Sequence, residues 1–184
     1  MEEVKRIDRI ERYKGSILTM CEDRIQMPDG KVVSWDFLKH KGAAAVVAVR
    51  DDGKLLMVRQ FRNAIDRVSL EIPAGAKNYV EEPGIDAAFR ELEEETGYTT
   101  KKEWMKPLLK LVTAIAFCNE KIDIYLATGL KNPGRQHLDE DEYLDVCACD
   151  LDELVDMIGR GQIQDSKTVA AIMAYKNMVS SGKH

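Results

Sequence analysis

The chain of 184 residues, 45% hydrophobic and 32% charged, has the composition of a soluble globular protein and room for one domain with a small appendage. Its net charge of -5 excludes broad electrostatic affinity for nucleic acid, which needs basic side chains to neutralise phosphates. No apolar run approaches the ~20 residues that span a bilayer, and the opening MEEVKRIDRIERYKG lacks the apolar core of a secretory signal, so no membrane partner and a cytoplasmic location are expected.

Residues 1–14 carry no assignable pattern. Residues 16–21, 24–27 and 31–38 read as short strands turned by Pro28-Asp29-Gly30, giving an antiparallel appendage over residues 1–40 ahead of a main domain over 41–184. Within it, Trp35 is either a core residue or a flat face for a base. Residues 43–50 are almost continuously apolar and turn at Asp51-Asp52-Gly53 into 54–61, which predicts a buried hairpin. The hairpin ends in Arg59-Gln60-Phe61-Arg62. Planar guanidiniums suit phosphate as well as surface ion pairs, and Arg62 is the stronger candidate for the former.

Residues 68–72 form a further predicted strand, running into Pro73-Ala74-Gly75. There begins the densest stretch of the sequence, GAKNYVEEPGIDAAFRELEEETG, a glycine-led loop followed by a helix. With Pro83 near the first turn, Ile85, Ala88, Phe89, Leu92 and Thr96 fall on one largely apolar stripe. Glu91, Glu94 and Glu95 share a different face, where each like-charged neighbour pair destabilises an isolated helix by ~0.2–0.5 kcal/mol. They also crowd the helix C-terminus, the end whose partial negative charge repels carboxylates, and Arg90 is the sole base between Lys77 and Lys101. A hard divalent cation satisfies that arrangement, because Mg²⁺ is commonly held by a few carboxylates together with substrate phosphates. The alternative is a solvated acidic face; glycines at both ends, a proline at the entry and the placed arginine favour the metal site.

Beyond it, strands are expected around 108–113 and over 121–127, with the loop AIAFCNE between them. Turn formers and then four consecutive acids occupy NPGRQHLDEDE. An acidic loop of this kind suits delivery of a general base, with Glu140 and Glu142 as candidates. Residues 143–149 resume a strand. Asp150 caps a helix that stops at Gly159, and a second helix covers about 166–178. The four cysteines, Cys21, Cys118, Cys147 and Cys149, make no CxxC pair and read as free thiols.

The set Gly75, Glu82, Arg90-Glu91-Leu92, Glu94-Glu95 and Gly97-Tyr98 resembles the Nudix box of the pyrophosphate hydrolases. Six residues separate Gly75 from Glu82, one more than the family pattern, whereas the seven between Glu82 and Arg90 fit it. The extra residue lies in the loop, so the helix face is intact. The order RQFR, EIPAG, box, NE-containing loop and DEDE loop looks like the ADP-ribose pyrophosphatase branch over roughly residues 30–175. That resemblance implies an α/β/α sandwich around a mixed sheet, with the N-terminal strands helping to form a homodimer whose sites use both subunits. It implies Glu91, Glu94, Glu95 and the Ala74 carbonyl as ligands of Mg²⁺ or Mn²⁺. It further implies Gly75 in the substrate loop, Arg62 on the diphosphate of a small nucleoside diphosphate substrate, Trp35 stacked on adenine, and Arg90 orienting the carboxylates. Glu140 or Glu142 would be the catalytic glutamate. Ile115-Ala116 stand where the branch often has Pro-Gly. The expected reaction is hydrolysis of ADP-ribose to AMP and ribose 5-phosphate; other diphosphate substrates, or a non-enzymatic ADP-ribose sensor, are the alternatives.

Overall fold

The computed structural model describes residues 3–132, 134–138 and 143–182. Two compact units emerge: Met1–Gly42 with Val112–Lys121, and Ala43–Leu111 with Ile122–His184.

The first unit is an antiparallel sheet of β1 (Lys5–Lys14), β2 (Thr19–Gln26) and β3 (Val32–Lys39), in that spatial order. Strand β1 carried no legible pattern in sequence because it buries almost nothing, its residues being exposed or half-buried throughout. Ladder pairing and side-chain ion contacts hold it. Arg9 grips Asp23 with two hydrogen bonds of 2.6 Å and lies 3.5 Å over the Phe37 ring, and Arg12 pairs with Glu22. Segment 112–121 joins this unit: the Leu38 N–H donates to the Phe117 carbonyl at 2.7 Å, and the Asn119 side chain brackets the His40 backbone. Trp35 is 51% exposed, which removes the core reading of that residue.

In the second unit, β4 (Ala43–Val49) and β5 (Leu55–Arg62) form the expected hairpin only at its turn, pairing at Ala48 with Leu56 and Val49 with Leu55. Away from the turn the strands diverge, and the chain that follows fills the gap. Strand β6 (Arg67–Glu71) pairs with the outer half of β5, and β7 (Ala74–Ala76) pairs with the first three residues of β4. The bend between them is held by the Val46 N–H, 2.9 Å from the Pro73 carbonyl. Strands β8 (Met105–Val112), β9 (Lys121–Ala127) and β10 (Leu144–Cys149) complete a mixed sheet of order β10-β5-β4-β9-β8, with β4 and β9 parallel.

Both faces of this sheet are covered, which is why β4 reads as an unbroken apolar run. Ala43, Ala45 and Val47 join a core that includes Leu154, Ala171 and Ile172 of helices α2 (Leu151–Gly159) and α3 (Ser166–Ser180). Ala44, Val46 and Ala48 join a second core with Ala87, Ala88 and Leu92 of α1 (Gly84–Thr96). The α/β/α sandwich expected from the sequence is therefore present. Asp150 sits at the N-cap of α2, but its carboxylate goes to Lys54 at 2.9 Å and does not cap; Asp165 does cap α3, accepting the Thr168 N–H at 3.0 Å.

Helix α1 ends at Gly97, whose φ of 69° permits its N–H to close on the Glu93 carbonyl. A Cβ there would lie 2.8 Å from the Gly134 carbonyl oxygen. Gly97→Ala is expected to lower stability by more than about 1 kcal/mol, read as a lower urea midpoint with an unchanged slope.

Candidate active site

The wedge formed by β6 and β7 carries Ala74 and Gly75 to the acidic face of α1. Gly75 packs so closely there that a Cβ would fall 2.2 Å from the Glu91 carboxyl carbon, a cradle that only glycine fits. The Ala74 N–H donates to Glu95 Oε2 at 2.9 Å. Glu91 and Glu95 are 6% and 2% exposed, which rejects a solvated acidic face.

Arg90 supplies part of the missing positive charge. One terminal nitrogen donates to Glu91 Oε1 at 2.6 Å and to Glu94 Oε2 at 2.9 Å, and the other reaches the Ala76 carbonyl at 3.0 Å. Its Nε is buried without a hydrogen-bond partner, 3.9 Å from Glu82 Oε1. Burial acts to lower the Arg90 pKa, but Glu91 and Glu94 outweigh it and raise the guanidinium above its ordinary value. Glu82 keeps its place beside Arg90 despite the longer loop: its N–H bonds the Tyr79 carbonyl and its Oε2 accepts the Asn78 N–H, so a turn absorbs the extra residue.

One guanidinium thus serves Glu82, Glu91 and Glu94, with Glu95 alongside, while the nearby Lys77 is engaged by Asp123 at 2.9 Å. Among the described residues no three His, Cys, Asp or Glu side chains form a ready metal cage. The donor set is all oxygen, and the Gly75 cradle brings backbone against carboxylate. Both fit a hard cation that takes few protein ligands and completes its shell with water and substrate oxygens.

Arg62, expected on a diphosphate, is held by Glu71 through its Nε at 2.9 Å and one terminal nitrogen at 2.7 Å. Lys167 of α3 donates to the same carboxylate and to Asp165. Sequence reasoning cited Glu71 only within the motif EIPAG, without a role, and passed over Lys167. A cavity of about 300 Å³ opens beside them, lined by Arg62, Ile65, Arg67, Glu71, Gln164 and Lys167 among others. Arg59, the other guanidinium of the hairpin end, lies opposite Asp145 in the β5–β10 ladder. Glu140 and Glu142 lie outside the described residues. On the same loop, the Gln136 side chain and the His137 N–H bond the carbonyls of Glu95 and Glu94 at 2.6 and 2.9 Å.

The NUDIX domain family matches residues 39–172, and the chain belongs to that family. It is 37% identical to the ADP-ribose pyrophosphatase of Bacillus subtilis (strain 168), across 92% of this chain and 91% of that relative. It is 36% identical to the methanol dehydrogenase activator of Bacillus methanolicus, across 99% of this chain and 97% of that protein. The crystal structure of an ADP compounds hydrolase shares the fold at a TM-score of 0.83, covering 100% of this chain and 98% of that one, with 19% identity.

Two outcomes follow from this geometry. Gly75→Ala should push the Glu91 carboxylate aside and cut turnover at least about tenfold, a barrier change near 1.4 kcal/mol, with far-UV circular dichroism unchanged. Burial alone would raise the Glu71 pKa, but Arg62 and Lys167 pull it from 4.5 down to about 2. A depressed carboxyl stabilises fully above its ordinary pKa and loses that contribution as pH falls through the folded value. Glu71→Gln should therefore flatten the decline in stability between about pH 4.5 and 2, removing on the order of 3 kcal/mol of pH dependence in acid titrations followed by fluorescence.

Proposed function

We propose that the protein hydrolyses ADP-ribose to AMP and ribose 5-phosphate with Mg²⁺, Mn²⁺ serving as the alternative cation. The observation that carries this is the buried pair Glu91 and Glu95, set against the Ala74-Gly75 backbone, with the Ala74 N–H on Glu95 and Arg90 on Glu91. The likeness to the Bacillus subtilis ADP-ribose pyrophosphatase over nearly the whole of both chains supports the choice of substrate. Glu91, Glu94, Glu95 and the Ala74 carbonyl would hold the cation, which supplies neutralisation of the diphosphate oxygens and a lowered pKa for the attacking water.

The remaining work falls to the chain itself. Arg62 presents its second terminal nitrogen to the diphosphate, Gly75 lets the loop backbone approach it, and Arg90 holds Glu91 and Glu94 in place. Glu140 or Glu142 accepts the proton of the attacking water as that oxygen bonds to phosphorus and the bridging P–O bond breaks. Exposed Trp35 offers its face to adenine, in a homodimer built on the N-terminal sheet. Cytoplasmic residence accords with this substrate, and no helix among the described residues is long and apolar enough to cross a membrane.

Glu94→Gln and Glu95→Gln should each reduce hydrolysis by about 10²-fold or more while retaining native circular dichroism, the scale on which lost electrostatic stabilisation acts. The assay is chromatography of AMP after incubation with ADP-ribose and Mg²⁺, beside a metal-free control and a panel of sugar nucleotides. Near-normal turnover in both variants would overturn the carboxylate assignment. Preference for another diphosphate would move the substrate, and tight binding with ADP-ribose recovered intact would favour a sensor. The likeness to the methanol dehydrogenase activator supports a second reading, action on a dehydrogenase, tested by methanol oxidation with and without the protein.

A further inference from the structure

Lys167 is an unusual residue for its place: a lysine 8% exposed at the start of α3, with its ammonium between two carboxylates. Ordering so long a side chain costs up to ~2 kcal/mol, and an apolar residue of similar volume often stabilises a buried position better. Its location offers a reason beyond stability. Glu71 Oε2 accepts from both Lys167 and Arg62, while Glu71 Oε1 accepts from Arg62 Nε. A planar carboxylate in a two-point contact with a guanidinium can still pivot as a unit with it. A third donor from a different element removes that freedom.

The third donor is itself fixed. Asp165, at 2.9 Å from Lys167 Nζ, also accepts the Thr168 N–H and hydroxyl, and the Thr168 oxygen accepts the Ile72 N–H at 3.0 Å. The first turn of α3 is thereby registered against the two residues that precede Pro73. The two bonds to Glu71 use Arg62 Nε and one terminal nitrogen, which leaves the other terminal nitrogen of the fork, on a side chain 39% exposed, to meet an anion.

We propose that Lys167 is a positioning residue for the reaction, setting the Arg62 guanidinium toward the substrate diphosphate through Glu71. This rests on the assignment of Arg62 to the diphosphate, and two measurements separate them. In the substrate-free protein, exchange of the Arg62 Nε–H followed by NMR should quicken about tenfold in Lys167→Met, as expected for a weakened charge-assisted hydrogen bond, and return in Lys167→Arg. With ADP-ribose and Mg²⁺, kcat/KM should fall about tenfold in Lys167→Met yet not fall further when Lys167→Met is added to Arg62→Ala, as residues acting in one chain are non-additive. Unchanged exchange, or an equal further loss in the Arg62→Ala background, overturns the positioning role. Unchanged kcat/KM in Arg62→Ala alone overturns the diphosphate assignment, and the role built on it, even where the exchange result holds. If Lys167→Met does not fold, Lys167→Gln carries both comparisons.

Discussion

Carboxylates gathered on one helix face must be charged to bind a cation and yet cannot stand together buried without one, and Arg90 resolves that conflict in the folded chain. Its guanidinium reaches two carboxylates and the Ala76 carbonyl at once, so it joins the helix to the loop that faces it. A lysine, with a compact charge and no planar fork, would not span the three acceptors in the same way. The Ala74 amide on Glu95 and Arg90 on Glu91 and Glu94 divide the acidic face between backbone and side-chain donors.

That clamp has an opposing surface only because the hairpin splits. If β4 and β5 paired along their length, the β6–β7 segment would have no slot, and Ala74-Gly75 would not reach α1. The insertion also fixes Glu71 and Ile72 at a point where α3 can grip them, through Lys167 and Thr168. One short segment, residues 67–76, therefore links both layers of helices to the site. The fold's two apolar cores hold the layers apart by the width of the sheet, and the polar contacts at the end of β6 set their relative register.

Much of this was legible in the chain. Helix α1, its apolar stripe, its proline entry and its glycine exit follow from local patterning, and the α/β/α arrangement was implied by the resemblance to the family. The candidate carboxylates were legible because their clustering is locally unfavourable and so demands a partner. Strand β1 was not, since its hold on the sheet comes from ion pairs and ladder bonds that leave no hydrophobic period. Trp35 was ambiguous because alternation within a strand assigns a face without saying whether that face is covered.

By itself the sequence determined the acidic helix, the glycine loop before it and the family to which both belong, because each depends on spacing within a few turns of chain. Only the tertiary structure decided what those residues touch. Glu71, Lys167 and Arg62 lie up to 105 positions apart, and no local period records that one carboxylate holds both cations. Nor does spacing reveal that a one-residue insertion before Glu82 closes into a turn. Long-range electrostatic partners are chosen by the path of the backbone, which is fixed by packing of the two cores and becomes visible only when the chain has folded.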